Sequence, residues 1–329
     1  MTYRIRAVTL SALLSSLLLG LWVLMQGDYN LTVTDVVAAL SGSETGLGSY
    51  FVREIRAPRI LAALLVGAAL GLSGAIFQTI TRNPLGSPDV IGFTHGAATG
   101  ALCAMIVWGT SPWGTALGAI VGGAATSCAV YLLTRSRGLE GFQLILVGLG
   151  LGATLAAVNS LLVVQASVTQ AQTAAAWLAG SLNSMTWGKV ALLALPLALV
   201  APLLLWLARP LRTLNYGDTL AQGIGVPVAS VRLISLILGV LLVALATALT
   251  GPIAFVALAA PHIARHLSHQ AAGNLGTAAC TGAFITLAAD ALGQFAFPTS
   301  LQVGVVTGAL GGLYLIFLIY RARRKDSSE

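Results

Sequence analysis

The stretch Pro252-Ile-Ala-Phe-Val-Ala-Leu-Ala-Ala-Pro261-His262-Ile-Ala-Arg265-His266-Leu-Ser-His269 decides how often this chain crosses a membrane. It is apolar, but Pro261 breaks it and it is too short to be recognised as a span on hydropathy alone. Nine other apolar runs are plain. They lie at about 8–26, 58–81, 90–108, 114–134, 142–166, 189–208, 231–250, 275–296 and 303–320, each near the ~20 residues that cross a hydrocarbon core. If residues 252–268 stay on one side, His262, Arg265, His266 and the tail Arg321, Arg323, Arg324 and Lys325 fall opposite Arg4 and Arg6. If they cross, Arg4, Arg6, Arg82, Arg135, Arg137, Arg209, Arg212, Arg232, Arg265 and the tail share one face, 13 of the 17 basic residues. The positive-inside bias selects the second arrangement and makes that face cytoplasmic. The expectation is therefore about ten transmembrane helices, an all-α polytopic membrane protein, with both termini inside.

Composition agrees. Only 17 basic and 10 acidic residues occur among 329, hydrophobic residues make up 57%, and the mean hydropathy is +0.89. One soluble core cannot hide that much apolar surface, so membrane lipid is the solvent for most side chains. The net charge of +7 follows from the positive-inside bias and gives no support to nucleic-acid binding. The first run reads as a retained anchor, because its apolar stretch exceeds a signal-peptide core and no small-residue cleavage pattern follows Trp22-Val-Leu-Met. Cys103, Cys128 and Cys280 fall inside expected spans with no pairing pattern and read as free and buried. The longest polar stretches, 27–57 outside and 209–230 inside, are too short for a soluble domain, so residues 1–329 form a single transmembrane domain.

Glycine recurs at every fourth position in Gly92, Gly96, Gly100 and in Gly304, Gly308, Gly312, with Gly67/Gly71, Gly118/Gly122 and Gly148/Gly152 repeating the theme. Such stripes let helix backbones approach closely and predict a rigid bundle. A faint echo links Arg59-Ile-Leu…Gly74-Ala-Ile-Phe77 to Arg232-Leu-Ile…Gly251-Pro-Ile-Ala-Phe255 in spans of opposite direction, the pattern of an inverted repeat.

Groups for chemistry are scarce. His262 and His266 are four apart, but no HExxH glutamate accompanies them, and helix-end bonding competes with metal ligation. Trp187-Gly188-Lys189 imitates the end of a phosphate loop, yet Asn183 stands at the first glycine position and Val190 follows the lysine, so ATP binding by that motif is excluded. Asp290 is the one carboxylate well inside a span and is expected to hydrogen-bond within protein near the outer end of its helix. Gln78, Asn159, Ser160 and Gln165 are uncharged polar residues within spans; they bridge helices or line an aqueous path, and the sequence leaves both open. No catalytic residue, metal site or cofactor is expected.

The cytoplasmic segment 209–230 is longer than a mere connector needs. It is read as two short helices split by glycines, with Leu211, Leu214, Leu220 and Ile224 forming a small docking face. Within it, Gly217-Asp218 followed by Ala221 and Gly225-Val226 resembles the coupling loop of the binding-protein-dependent ABC permeases for iron-siderophores, heme and vitamin B12 (the FecCD family). Arg56-Ala-Pro58-Arg59, Gly74-Ala-Ile-Phe-Gln78, Asn83-Pro84-Leu85-Gly86-Ser87-Pro88, Pro261-His262-Ile-Ala-Arg265 and Gly304-Val-Val-Thr-Gly308 extend the resemblance over essentially the whole chain. Asn83 to Asp89 and Ala179-Gly-Ser-Leu-Asn183 look most similar to permeases for ferric enterobactin. Two departures stand out: Gln302 occupies a usual proline position before the last span, and Ile224 replaces the commoner leucine of the coupling loop.

The resemblance implies the type II ABC importer permease fold in the bacterial cytoplasmic (inner) membrane. It implies a half-channel that pairs with a second permease, a paralogue favoured over an identical copy, above two ATP-binding subunits and below an extracytoplasmic siderophore-binding protein. By carry-over, Gly217, Asp218, Ala221, Gly225 and Val226 meet the ATPase, Asn83 and Leu85 lie near the cytoplasmic gate, and Arg56 and Arg59 meet acidic residues of the binding protein. Independently of the resemblance, Arg53, Arg56 and Arg59 are three of the four basic residues expected outside, spaced to share a helix face. Reversing Arg56 and Arg59 is accordingly expected to weaken docking and leave expression normal. The cargo implied is a ferric siderophore of the catecholate type, with vitamin B12, heme and hydroxamate siderophores as alternatives within the family. An ion-coupled secondary carrier is the rival outside it, disfavoured by the missing proton-relay residues.

Overall fold

The computed structural model of the chain describes residues 2–27, 29–43, 46–135, 141–269 and 274–326. Arg137 lies outside the described residues, as do the side chains of Arg321, Arg323, Arg324 and Lys325. Fourteen α-helices follow one another: α1 (Thr2–Met25), α2 (Val33–Ser41), α3 (Leu47–Tyr50), α4 (Ala57–Ile80), α5 (Phe93–Leu102), α6 (Pro112–Thr134), α7 (Gly141–Gln165), α8 (Val168–Leu178), α9 (Trp187–Leu214), α10 (Asp218–Gly223), α11 (Val228–Thr250), α12 (Val256–Ser268), α13 (Leu275–Phe295) and α14 (Val303–Asp326). A π-helical turn, Phe51–Arg56, joins α3 to α4 without a break, and a second, Cys103–Val107, extends α5. Seven of the described helices are long and apolar enough to span a membrane, and Phe93–Val107 and Val303–Phe317 are shorter apolar segments. With α12 they correspond to the ten expected spans.

Helix α4 is the axis of the bundle. It is apolar all round and buried along most of its length, as a helix enclosed by other helices must be. Glycines set its closest contact, with the antiparallel α13. A Cβ on Gly67 would lie 2.3 Å from the Gly282 carbonyl oxygen, and one on Gly71 2.3 Å from that of Ala278. Helices α5 and α6 meet in the same way: a Cβ on Gly100 would sit 2.0 Å from the Gly118 oxygen, and one on Gly122 2.3 Å from that of Gly96. Without a hydrophobic driving force between helices in lipid, this backbone-to-backbone fit supplies the dispersion contacts that hold them together. Buried polar groups add bonds between helices. Ser73 Oγ donates to the Gly239 carbonyl of α11 at 2.7 Å, and Gln78 Nε2 to the Leu258 carbonyl of α12 at 3.0 Å, which makes Gln78 a helix bridge.

Helix α12 has only 13 residues, about 20 Å at ~1.5 Å per residue, against a core of about 30 Å. The remaining depth is crossed by non-helical backbone at residues 251–255. That backbone is wrapped in protein: Ser181 N–H donates to the Thr250 oxygen at 2.7 Å, and a Cβ on Gly180 would lie 2.2 Å from the Pro252 oxygen. Gly251 (φ 71°) and Phe255 (φ 68°) turn the chain in the left-handed region. A long helix, an irregular segment and a short helix follow one another as α4 to α5 and again as α11 to α12.

One local expectation is corrected. Segment 209–230 holds a single short helix, α10, because α9 runs on to Leu214 despite Pro202 and Pro210. Leu211 and Leu214, at 3% and 1% exposure, pack into the core beside Leu207 and Val231, so they cannot form a docking face.

Candidate functional site

Three regions gather the residues singled out above. The first is a face left open by α7 and α14. Leu146, Leu149 and Leu161 on α7 and Leu313, Ile316 and Phe317 on α14 are exposed. A Cβ on Gly150, Gly308 or Gly312 would meet nothing within 4 Å, although Gly304 and Gly311 of the same helix are filled by Ala179 and the Phe255 ring. Between these helices lies a cavity of about 480 Å³ bounded by Thr94, His95, Asn159, Pro252, Ala254 and Val305. Asn159 is fixed at its wall: its Oδ1 accepts from Thr99 Oγ1 at 2.7 Å, and its Nδ2 donates to the His95 carbonyl at 3.2 Å. Ser160 is exposed and donates back to the Ala156 carbonyl, and Gln165 is exposed at the end of α7, so Asn159 is the one of the three brought to the cavity. His95 was missed in the sequence, where a lone histidine in a glycine-rich helix gives no signal. Just before it, Asp89 accepts from the Thr94 hydroxyl, and its burial pushes the carboxyl pKa up, opposed by that bond, by His95 and by the Phe255 amide.

The second region is the end of the bundle bearing Arg53, Arg56 and Arg59. The π-helical turn breaks their common face, and each guanidinium takes a different partner. Arg53 donates to the Leu40 carbonyl at 3.2 Å, which ties down α2. Arg56 donates to the carbonyls of Leu24 and Tyr29, both at 2.8 Å, and lies over the Phe51 ring at 5.8 Å. Arg59 forms a two-pronged pair with Asp290 of α13, Nε to Oδ2 and Nη2 to Oδ1, both at 2.9 Å, and Gln294 donates to the same carboxylate. Asp290 is 2% exposed, so the one carboxylate expected well inside a span is a buried ion-pair partner. Trp187 Nε1 donates to the Arg53 carbonyl at 2.9 Å, drawing the start of α9 into this layer. Nearby, Thr32 caps α2, and its hydroxyl and amide hold the Asp35 carboxyl below the usual range.

The third region lies at the opposite end, around α10. Gly217 (φ 110°) and Gly225 (φ 84°) turn the chain into and out of this helix, and a Cβ on either would meet open space, so backbone conformation is what demands glycine there. Ala221 is buried and its carbonyl accepts the Val226 amide at 2.9 Å, closing the loop. Tyr216, Leu220 and Ile224 are exposed by 71%, 55% and 61%, a small apolar face that includes Tyr216, which the sequence reading passed over. Asp218 turns away from it and pairs with Arg82, beyond the end of α4, and with Arg232 of α11. Asn83 and Leu85 follow directly. Asn83 N–H donates to the Gln78 carbonyl, Asn83 Oδ1 accepts the Leu85 amide at 2.9 Å, and the Leu85 side chain is half exposed. In the middle of α12, His262 Nδ1 bonds the Tyr314 hydroxyl of α14 at 2.5 Å.

Comparison with known proteins places this geometry. The model of the FecCD transport family matches residues 13–321. The chain is 48% identical over 307 residues to the ferric enterobactin transport system permease protein FepG of Escherichia coli (strain K12), covering 93% of each chain. It is 36% identical to the achromobactin transport system permease protein CbrC of Dickeya dadantii (strain 3937), over 90% of this chain and 86% of that one. It is 33% identical to the ferric enterobactin transport system permease protein FepD of E. coli (strain K12), over 97% of both. A solved chain, described as an inward-facing conformation of a metal-chelate type ABC transporter, superposes with a TM-score of 0.84 at 29% identity, over 96% of this chain and 99% of that one.

Proposed function

The chain belongs to the FecCD transport family, and from that premise we propose that it carries a ferric catecholate siderophore of the enterobactin type across the inner membrane. It is a multi-pass membrane permease of the siderophore and iron-chelate ABC class. The observation that carries the finer reading is the 48% identity to FepG over nearly the whole of both chains, against 36% to the achromobactin relative.

The chemistry of the chain suits that reading. On this reading the iron travels already wrapped in its siderophore. The cavity beside α7 and α14 offers an amide, a hydroxyl and an imidazole, which guide a polar solute without gripping it. The open face of α7 and α14 takes a second permease, and a paralogue is favoured because FepD and FepG are both named as permeases of one ferric enterobactin system. Leu220 and Ile224 seat the ATP-binding subunit, with Gly217, Ala221, Gly225 and Val226 shaping the loop; hydrolysis belongs to that subunit. Asn83 and Leu85 form the cytoplasmic gate. The binding protein docks at the Arg53–Arg59 end, where Arg56 and Arg59 act by holding the docking layer in place. Both termini are cytoplasmic.

The test is reconstitution. Vesicles with this chain alone should neither bind nor move ferric catecholate, and adding the second permease, ATPase and binding protein should give ATP-dependent uptake. Robust uptake by the chain alone on a proton or sodium gradient would refute the ABC assignment, and preference for cobalamin or a ferric hydroxamate would overturn the cargo.

A further inference from the structure

Asp218 is the first residue of α10, the element read above as the ATPase seat, and its carboxylate faces the bundle. Its Oδ1 accepts from Arg82 Nη2 and, at 3.0 Å, from Arg232 Nη2, which also lies 2.9 Å from Oδ2. Arg82 holds a second partner across the same turn: its Nε donates to the carbonyl of Leu214, the last residue of α9, at 3.1 Å. One guanidinium thus spans the joint between α9 and α10, and no displacement of α10 against α9 leaves both of its bonds unchanged.

Arg82 is also the residue from which the 83–86 segment departs. Its backbone stands in the left-handed region (φ 48°), unusual for a non-glycine residue and sustained only where the surroundings fix it. On its two sides the chain is locked. Thr81 closes α4 with its amide on the Phe77 carbonyl, and Asn83 donates to the Gln78 carbonyl at 3.2 Å before capping Leu85. Arg82 is therefore the single residue whose side chain grips α10 and whose backbone aims Asn83 and Leu85. Arg82 and Asp218 are exposed by 39% and 34%, and a pair this open to water contributes little to stability, while Arg232, at 11%, is more enclosed.

We infer that Asp218 is a positioning residue of the coupling step, tying α10 through Arg82 to the 83–86 segment, so that a push on α10 is delivered to Asn83 and Leu85. This rests on the reading of α10 as the ATPase seat, and it reassigns Asp218 from touching the ATPase to transmitting its movement.

The experiment uses the complete reconstituted complex and three readouts: ATPase co-purification, ATP hydrolysis and ferric catecholate uptake. Asp218→Asn, which keeps the shape and removes the charge, should retain the ATPase and its hydrolysis while uptake per ATP falls about tenfold, inside the ~5- to 150-fold range usual for coupled sites. Arg82→Gln should do the same, and the losses of the double variant should be clearly less than additive, because both substitutions cut the Arg82–Asp218 tie, although Asp218→Asn also loosens Arg232. Asp218→Glu should recover part of the uptake. Loss of the ATPase from Asp218→Asn would overturn the inference in favour of direct contact, and so would unchanged uptake per ATP or fully additive losses. A distinct failure is separable: if Leu220→Glu with Ile224→Glu keeps the ATPase bound, α10 is not its seat and the premise falls.

Discussion

Cutting the Arg59–Asp290 pair should destabilise the protein far more than its position near the membrane surface suggests. Asp290→Ala removes a carboxylate that receives two bonds of 2.9 Å from Arg59 and one of 2.7 Å from Gln294, leaving a guanidinium only 20% exposed without its counter-ion. Removing one partner of a buried pair typically costs about 3–5 kcal/mol. At ~1.4 kcal/mol per tenfold, that is about a hundredfold to several thousandfold in the ratio of folded to unfolded protein. Replacing both partners with apolar residues of similar volume, Arg59→Met with Asp290→Leu, should recover most of the loss, since no charge is then stranded. The assay is the temperature at which half the detergent-solubilised protein leaves the monodisperse peak in size-exclusion chromatography, measured for wild type, both singles and the double. Asp290→Ala and Arg59→Met should each melt well below wild type, and the double should lie nearer to it. If both singles melt with wild type, the pair is ornamental and the reasoning fails. The same geometry revises the expectation for charge reversal: Arg59→Glu sets two carboxylates face to face, so the variant should express poorly instead of normally.

Gly100→Val should abolish accumulation of folded protein, because its Cβ would lie 2.0 Å from the Gly118 carbonyl oxygen and overpacking by even a methylene costs about 1–3 kcal/mol; a wild-type yield in the membrane would contradict it. Gly308→Leu, which meets nothing within 4 Å, should leave the single chain's melting unchanged and weaken co-purification of the second permease; the reverse pattern would show that α14 packs within the chain. Gly225→Val should lower uptake through backbone strain of about 1–2 kcal/mol at φ 84°, with open space around it, so Gly225→Asn should be milder than Gly225→Val; equal losses would point to contact instead of conformation. Accessibility tags after residue 269 and near residue 299 should label from opposite faces, and labelling of both from one face would sink the ten-span topology.

The spans were legible because lipid imposes one rule on every residue that faces it, and runs such as 236–246 are apolar throughout. The half-length of α12 was not, since hydropathy cannot distinguish apolar residues in a helix from apolar residues in extended backbone wrapped by Trp177 and Gly180. Glycine spacing announced close helix contacts but not which glycines are filled: Gly304 meets Ala179 while Gly308, one turn on, meets nothing. Charged residues were the least legible of the site. Arg56, Arg59, Arg82 and Asp218 looked like groups awaiting partners outside the chain, and each has one inside it; Asp290 was expected to bond within the protein, but its partner Arg59 stands 231 residues away, a separation that local pattern cannot reach. Hydropathy was a poor guide to the end of α9, because the apolar run stops near residue 208 while the helix continues past Arg209 and Arg212 to the buried Leu211 and Leu214.

The uneven distribution of glycine contacts also divides the molecule by stiffness. Helix α4 has 72% of its spanning window buried and touches α13 backbone to backbone, so any sliding between them meets hard repulsion within a fraction of an ångström. Helix α7 has only 17% of its apolar span buried; it meets backbone at one place, where Gly148 and Gly152 lie against Ile91 and Gly92. A load applied at one end of the bundle is then carried almost undiminished along α4 and α13, while compliance is confined to the periphery. On the function proposed here, a push delivered at one end would then be felt at the other without repacking of the centre.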